Sequence, residues 1–376
     1  MRILMLSPEF PPIGASLGHH CYYLLKALGQ EEGVVLDFIT ASIEEEEPRI
    51  VVGKNITIHE IPAIPAGQHH ATNTELIRWS YRARKTAIGL LAKNSYAAVH
   101  ALGTYPAGVI ACSICRGLPF ILTIRDKELP SGKGRNSLFR SVIYMPLSRK
   151  VWRNAHRVIC DNRESEKELS LYTQNISCIE QAADLSVFGT DYSVKPFLRL
   201  LCVAKLTKEK RIDELIMAVA RLEQVDLTVI GTGPYEDELK SLSKRTGAWE
   251  QSTFLGYVPH ERLKDYYQEA DLFVCLTGEE KVAASIREAM ASGLPLLLSG
   301  TRHHAELVNG NGILLWEVTA NAIKKVLKNI LSDKAQLLPM AKVSRKLAEE
   351  HSWEKVALEH VRVYKDAAER STREKW

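Results

Sequence analysis

The chain has 376 residues, of which 45% are hydrophobic and 25% are charged, and its formal net charge is +4 at pH 7. This length exceeds one ordinary hydrophobic core, so we expect two domains of similar size, and the composition is ordinary for a soluble globular protein. No apolar run reaches the roughly 18 residues of a membrane span, and MRILMLSPEF lacks the long apolar region of a secretory signal, so we expect a cytoplasmic protein.

Strand and helix patterns alternate from the start of the chain. The predicted strand MRILMLS leads through the turn-rich loop PEFPPIGASLG into the helical pattern HHCYYLLKALGQ. A long helix is predicted at TELIRWSYRARKTAIGLLAKN. The further predicted strands are VVLDFITA, ITIHEIPA, YAAVHAL, PFILTIR and HRVICDN. This alternation predicts a doubly wound parallel α/β sheet.

The same alternation begins again after residue 188, where DYSVKPF reads as a linker. Its predicted helices include IDELIMAVARL and YEDELKSLSKRT, and its predicted strands are LRLLCVAKL, DLTVIGTG, STFLGYV, ADLFVCLT and GLPLLLSG. We therefore expect a first domain at 1–188, a second at 189–355, and a C-terminal helix at 356–376 that packs back on the first domain. Two parallel sheets in tandem predict a ligand cleft at the carboxyl ends of the strands.

Cations are concentrated between residues 76 and 157, where the acidic residues are Asp126 and Glu128. Bulky apolar residues and cations are mixed in SLFRSVIYMPLSRKVWRNAH, and they lie at helical spacing at Arg78, Trp79, Tyr81, Arg82 and Lys85. This pattern suits either an anionic membrane surface or a solvated basic helix, and both readings stay open. No recognised nucleic-acid module accompanies these cations, so we expect no nucleic acid as a partner.

Seven scattered cysteines lie mostly in apolar segments and are expected to be reduced core thiols. Cys112 and Cys115 have redox-motif spacing, but no second pair completes a zinc site, and no Asp-x-Asp metal motif is present. We expect neither a metal nor another cofactor.

Three loops after predicted strands include residues suited to an anionic or hydroxylated ligand. Lys205 and Lys210 follow a buried strand, where they either neutralise a phosphate or form an ordinary charged loop. Gly231 resembles part of a dinucleotide fingerprint, but the third glycine and the acidic residue are missing. Glu280 and Glu288 flank a predicted helix start, where they either accept hydrogen bonds from sugar hydroxyls or stabilise the helix dipole.

In their order along the chain, these segments resemble the GT-B-fold glycosyltransferases, most closely the retaining family 4 (group 1) type. The resemblance covers nearly the whole chain, and it implies two Rossmann-like domains that face each other across a cleft. The segments that carry it include PPIG, YAAVHALG, PFILTIRDKE, IEQAADLSVF, VAKLTKEKRID, VIGTGP, STFLGYV, EKVAASIREAMASGLPLLLSG and HHAELVNGNGILL.

The resemblance implies how the donor, a nucleotide-diphosphate sugar, is held. Gly14 and Ala15 would let backbone amides approach the donor. Gly231 would lie at the end of a strand in the second domain, on the side of the cleft. Lys205 and Lys210 would bind the phosphates of the leaving nucleotide. These two lysines are the expected catalytic cations.

The resemblance also implies ligands for the sugar and the nucleoside. Glu288 would hold the ribose hydroxyls. Glu280, which we expect among the catalytic residues with the two lysines, would bind hydroxyls of the transferred sugar. Val258 would lie near the base, mainly through its main chain. Glu306 matches another recurrent family glutamate whose role stays open.

Two stretches depart from the family pattern. The family commonly has Gly-Phe-Gly where this chain has Lys281, Val282 and Ala283, and we expect these residues together with Ala284 to contact the substrate. After the strand PFILTI, the family often has His-Gly where this chain has Arg125-Asp126. A guanidinium cannot replace a histidine, so Arg125 as a catalytic residue and Asp126 as a ligand would make different contacts.

The expected activity is metal-independent, retaining transfer of a sugar from a nucleotide sugar to a glycan or glycolipid hydroxyl, as in polysaccharide biosynthesis. The enzyme would be cytoplasmic or peripheral at the inner face of the membrane. Two alternatives stay open: a nucleotide-sugar epimerase or phosphorylase-like enzyme of the same fold, and a catalytically weakened nucleotide-sugar-binding protein.

Overall fold

A computed structural model describes residues 1–14, 16–44, 52–66, 68, 71–115, 117–125, 128–130, 144–180, 182–185, 197–220, 222–277 and 283–373. The chain divides into two compact units. Unit 1 is Met1–Gln181 with Trp353–Trp376, and unit 2 is Ala182–Ser352. The boundaries predicted from the sequence were placed after residues 188 and 355.

In the described part of unit 1, parallel strands form one sheet in the order β3-β2-β1-β4-β5-β6-β7. The strands are β1 (Arg2–Leu6), β2 (Val35–Ile43), β3 (Ile56–Ile64), β4 (Ala98–Leu102), β5 (Phe120–Thr123), β6 (Arg157–Cys160) and β7 (Ile176–Cys178). The helices are α1 (Ser16–Leu28), α2 (Asn73–Lys93), α3 (Val109–Ile114), α4 (Met145–Asn154), α5 (Arg163–Leu169) and, at the end of the chain, α13 (Trp353–Arg373). The strands are apolar runs because helices cover both faces of such a sheet.

The described part of unit 2 repeats this plan with the strand order β10-β9-β8-β11-β12-β13, again all parallel. The strands are β8 (Leu198–Val203), β9 (Val225–Ile230), β10 (Ser252–Gly256), β11 (Leu272–Cys275), β12 (Leu296–Ser299) and β13 (Gly312–Leu315). The helices are α6 (Ile212–Val219), α7 (Glu236–Thr246), α8 (His260–Glu269), α9 (Ala284–Ala291), α10 (Arg302–Leu307), α11 (Ala320–Ser332) and α12 (Leu337–Glu350). The predicted doubly wound α/β class is confirmed for both units.

Each sheet reverses its direction of growth beside its first strand. β1 pairs with β2 on one side and β4 on the other, and β8 pairs likewise with β9 and β11. Loops that leave the carboxyl ends of strands at such a switch point diverge and leave room for a ligand. No helix in the described ranges has the length and apolarity to cross a membrane.

Buried histidines connect the C-terminal helix to the sheet of unit 1. His100 on β4 lies 2.8 Å from the Tyr364 hydroxyl through Nδ1 and 2.8 Å from Thr123 Oγ1 through Nε2. The His20 ring meets the Trp353 ring edge-on, with 5.3 Å between the centroids. Burial lowers the pKa of His20 and His100, and it lowers the pKa of His360 to about 4. The cluster is therefore neutral at pH 7.

A glycine controls how closely the first two strand ends of unit 2 approach. Gly231 follows β9 with φ of +128°, and its amide donates to the Gly256 carbonyl at 2.8 Å. A Cβ atom at Gly231 would lie 1.9 Å from the Ala204 carbonyl oxygen. Only glycine permits this approach, which positions the loop that continues into Lys205.

We predict that His360→Phe reduces the acid sensitivity of the fold. Because the folded pKa of His360 lies below its ordinary value of 6.5, the unfolded chain binds more protons as the pH falls from about 6.5 to about 4. Stability is thus lost across that window, and His360 accounts for about 3 kcal/mol of the loss. Urea midpoints measured between pH 7 and pH 4 should fall less steeply in the variant.

His351→Phe is the matched control for this prediction. His351 also has Nδ1 close to a carbonyl four residues earlier, that of Leu347, but it is exposed. This variant should keep the pH dependence of the parent protein. Equal slopes for His360→Phe and the parent would contradict the assignment.

We predict that Gly231→Ala destabilises unit 2 and displaces the Lys205 loop. The new methyl group would clash with the Ala204 carbonyl, and the alanine backbone would be held at a strained φ. Together these effects should lower the free energy of unfolding by about 3 kcal/mol. Gly247→Ala is the control, because its φ is +80° but no atom of the described residues lies within 4 Å of the added Cβ. It should cost only about 1 kcal/mol. Similar urea midpoints for the two variants would rule out the contact as the cause.

Candidate active site

Two lysines lie at the carboxyl end of β8. The chain passes from the strand into a short 3₁₀ helix, Lys208–Lys210, and then into α6. Lys205 is exposed, whereas Lys210 is half-buried. The Lys210 ammonium donates to Thr277 Oγ1, 3.3 Å away, in the loop that follows the neighbouring strand β11. The turn therefore directs Lys210 across the strand ends.

Glu288 on α9 is held by two side chains of the preceding helix, α8. Its Oε1 lies 3.0 Å from His260 Nε2, and its Oε2 accepts a hydrogen bond from the Tyr267 hydroxyl at 2.8 Å. The Glu288 side chain is 12% exposed. Burial and the Glu288 carboxylate raise the pKa of Tyr267 well above its ordinary value, so its hydroxyl remains a donor.

These contacts orient the carboxylate without exhausting it. A carboxylate has about four acceptor positions, and two are directed at His260 and Tyr267. The sequence analysis did not find these two partners. They stand seven residues apart in HERLKDYYQE, a spacing that puts both on one face of a helix, and this pattern was the available signal.

Arg125 follows β5 at the carboxyl edge of the unit 1 sheet. Its backbone amide donates to Glu128 Oε1 at 3.1 Å, and Glu128 Oε2 accepts from the Thr104 amide at 2.5 Å. Burial raises the pKa of Glu128. The Glu128 side chain thus ties the loop after β5 to the loop after β4 and fixes the backbone at Arg125.

The remaining predicted ligands have different environments. Gly14 precedes α1 with φ of +76°, in the left-handed region. Val258 follows β10 and packs, half-buried, against an apolar cluster of unit 2. Ala283 immediately precedes α9, and Ala284 is its first residue. Gly231 has the packing role described above.

Other predicted residues fall outside the described part of the chain: Ala15, Asp126, Glu280, Lys281 and Val282. Glu306 lies on α10 with its side chain 58% exposed, 3.8 Å from the Arg302 guanidinium. The roles predicted for the five residues outside the described part stay predictions, and the role of Glu306 stays open.

Within unit 2, cations and an oriented carboxylate come from neighbouring strand ends. The lysines follow β8, and the helix that includes Glu288 follows β11, which pairs with β8. This combination suits a ligand that has both anionic groups and hydroxyls. In the described ranges, no group of three or more His, Cys, Asp or Glu side chains is placed to hold a metal ion.

Two family models match successive parts of the chain. The model described as Glycosyltransferase Family 4 matches residues 17–186, and the model described as Glycosyl transferases group 1 matches residues 194–350. Together they span most of both units.

Similar proteins agree with these matches. An uncharacterized glycosyltransferase of Methanocaldococcus jannaschii is 24% identical over 98% of this chain and 99% of its own length. The amylovoran biosynthesis glycosyltransferase AmsK of Erwinia amylovora is 32% identical over 39% of each chain.

Solved structures share this fold. Anabaena HepE in complex with UDP-glucose superposes with a TM-score of 0.70 and 18% identity, covering 97% of this chain and 100% of that chain. With two doubly wound parallel sheets and the two family models in tandem, this chain belongs to the GT-B-fold glycosyltransferases of group 1.

Proposed function

We propose that this glycosyltransferase moves a sugar from a nucleotide-diphosphate sugar to an acceptor hydroxyl, with retention at the anomeric carbon and without a metal. The observation that carries the proposal is that Lys210 follows β8 and contacts the loop after β11, while the helix that includes Glu288 follows that same neighbouring strand. A diphosphate needs cations, and a ribose needs an oriented acceptor for its hydroxyls. The UDP-glucose complex of HepE supports a nucleotide sugar as the donor.

In the proposed reaction, the bond between the anomeric carbon and the diphosphate oxygen breaks. A bond from the acceptor oxygen forms on the same face of the sugar, and the acceptor proton passes to the departing phosphate. Negative charge grows on the diphosphate during this step. Lys205 and Lys210 would stabilise that charge, which requires fixed cations rather than a protein base.

The acceptor we propose is a glycan or glycolipid of the cell envelope. AmsK is an amylovoran biosynthesis glycosyltransferase, which supports a polysaccharide acceptor for this chain as well. A nucleotide-sugar epimerase or phosphorylase-like enzyme would instead release product without an acceptor. A weakened binding protein would bind the donor without turnover, as the departures at Arg125 and at 281–283 would allow.

We further propose that unit 1 attaches to an anionic membrane at the inner face. On α2, large apolar side chains are exposed: Ile77 by 62%, Tyr81 by 78% and Ile88 by 43%. Cations are exposed beside them at Arg78, Arg82, Arg84 and Lys85, while Glu75, the one acidic residue in α2, is buried. Trp79, which the sequence pattern also assigned to this surface, is instead fully buried in the core, so that part of the expectation is wrong. Apolar and cationic side chains on one exposed helix face favour the surface of an anionic bilayer.

The proposed transfer predicts a specific loss in Lys210→Met. A screen of uridine, guanosine and adenosine diphosphate sugars with lipid-extract and simple sugar acceptors, read by mass spectrometry, identifies the substrates. With these substrates, Lys210→Met should lower kcat/KM by about 100-fold or more, because charge on the leaving group is no longer stabilised.

Lys208→Met is the control for that assay, because Lys208 belongs to the same turn but is exposed. Its kcat/KM should stay within about threefold of the parent value, as expected for a screened surface charge. EDTA should leave the rate unchanged, and NMR of the product should show a retained anomer. An inverted anomer, or complete loss of activity in EDTA, would refute the mechanism.

The membrane proposal predicts that Arg78→Gln combined with Lys85→Gln weakens liposome binding. Because each such cation contributes about 1 kcal/mol near an anionic surface, the double variant should bind at least about tenfold more weakly. Sedimentation with phosphatidylglycerol-containing vesicles measures this. Lys325→Gln combined with Lys328→Gln on α11 is the control and should bind like the parent. Binding that is insensitive to both lipid charge and salt would contradict the proposal.

A further inference from the structure

A chain of hydrogen bonds joins three strand ends in unit 2. The Lys210 ammonium, after β8, donates to Thr277 Oγ1 at 3.3 Å. The Thr277 carbonyl, after β11, accepts from the Ser299 hydroxyl at 2.5 Å. Ser299, the last residue of β12, has its carbonyl oxygen 2.9 Å from His304 Nδ1. The three strands are neighbours in the order β8-β11-β12.

The donors and acceptors of this chain follow from its chemistry. A carbonyl oxygen can only accept, so His304 Nδ1 must bear the proton that reaches Ser299. The Ser299 hydroxyl uses its one proton on the Thr277 carbonyl, and its oxygen is then an acceptor for the same Nδ1, 3.1 Å away. His304 is fully buried, and burial lowers its pKa, so the ring is neutral. This series of hydrogen bonds therefore has one consistent assignment of donors and acceptors at pH 7.

This arrangement fixes Thr277 against movement. Thr277 is only 1% exposed. Its carbonyl accepts a hydrogen bond from Ser299, which is itself held by the buried ring of His304. An ammonium has no acceptor capacity, so Thr277 Oγ1 must be the acceptor in its contact with Lys210. A flexible lysine side chain thereby gains a rigid reference point, so less conformational entropy is lost when its ammonium pairs with charge that develops during a reaction.

We propose that Thr277 is a positioning residue that holds the Lys210 ammonium where charge develops on the leaving diphosphate. The inference rests on the proposed role of Lys210 in transfer. Thr277 acts through Lys210 and needs no contact with the substrate. A cation fixed in advance stabilises the transition state more than the ground state, so its loss affects turnover more than substrate binding.

Thr277→Val tests this role, because it removes the hydroxyl while preserving the shape of the side chain. We expect kcat to fall about tenfold with KM changed by less than about threefold. Thr277→Ser retains the hydroxyl and should recover most of the rate. Thr40→Val is the matched control: Thr40 is also 1% exposed, and its hydroxyl has no partner among the described residues. It should leave kcat unchanged.

A double-mutant cycle separates positioning from a general packing effect. In the Lys210→Met background, Thr277→Val should lower kcat by less than about twofold further, because the group that it positions is gone. Independent, multiplicative losses in the two variants would overturn the proposal.

A second measurement does not depend on activity. The ¹³Cε NMR signal of Lys210, assigned by its loss in Lys210→Arg, should shift in Thr277→Val and stay in place in Thr277→Ser and Thr40→Val. An unchanged signal in Thr277→Val would refute the contact. If the parent protein transferred no sugar, the proposed function would fail, and the NMR result would still decide whether Thr277 positions Lys210.

Discussion

Parallel pairing of strands is the constraint on which both units depend. A parallel strand cannot return by a tight hairpin, so each connection crosses the sheet and begins again at the same edge. All carboxyl ends consequently meet at one edge of the sheet, where the loops that follow neighbouring strands lie close together. In unit 2 this edge brings together the turn at Lys210, the loop at Thr277 and the end of β12 at Ser299. Residues distant in sequence become neighbours because all strands of the sheet run in the same direction.

The polar groups at that edge are arranged before any ligand arrives. Glu288 has a donor at each oxygen, and Lys210 has an acceptor in a buried loop. Such contacts remove much of the reorganisation that a charged ligand would otherwise require. The neutral ring of His304 completes the arrangement without adding a second positive charge near Lys210. The flexible, charged side chain of Lys210 is thus held by neutral and buried groups, the Thr277 hydroxyl and the His304 ring behind it.

Much of the architecture was predictable from apolar periodicity, whereas side-chain partnerships were not. Runs such as RILML and LFVC identified buried parallel strands. The short strands β7 and β13 were not predicted; both lie at an edge of their sheet and are only partly buried, so burial leaves a weaker pattern there. Gly231 resembled a phosphate-loop glycine, yet its close contact is with the Ala204 carbonyl. The spacing of His260 and Tyr267 puts both on one helix face, but it does not identify Glu288 as their partner. The pairing of Thr277 with Lys210 likewise depends on strands that the fold brings together.

The C-terminal helix has a consequence for the order in which the chain becomes structured. The contact between His100 and Tyr364 closes a loop of 264 residues, and α13 belongs to unit 1 although unit 2 precedes it in the sequence. During synthesis, unit 2 is complete as one continuous segment before α13 leaves the ribosome. Until then, His100 and His20 lack the helix that buries them. Unit 1 therefore begins to form before unit 2 but is completed after it, when α13 covers the buried histidines.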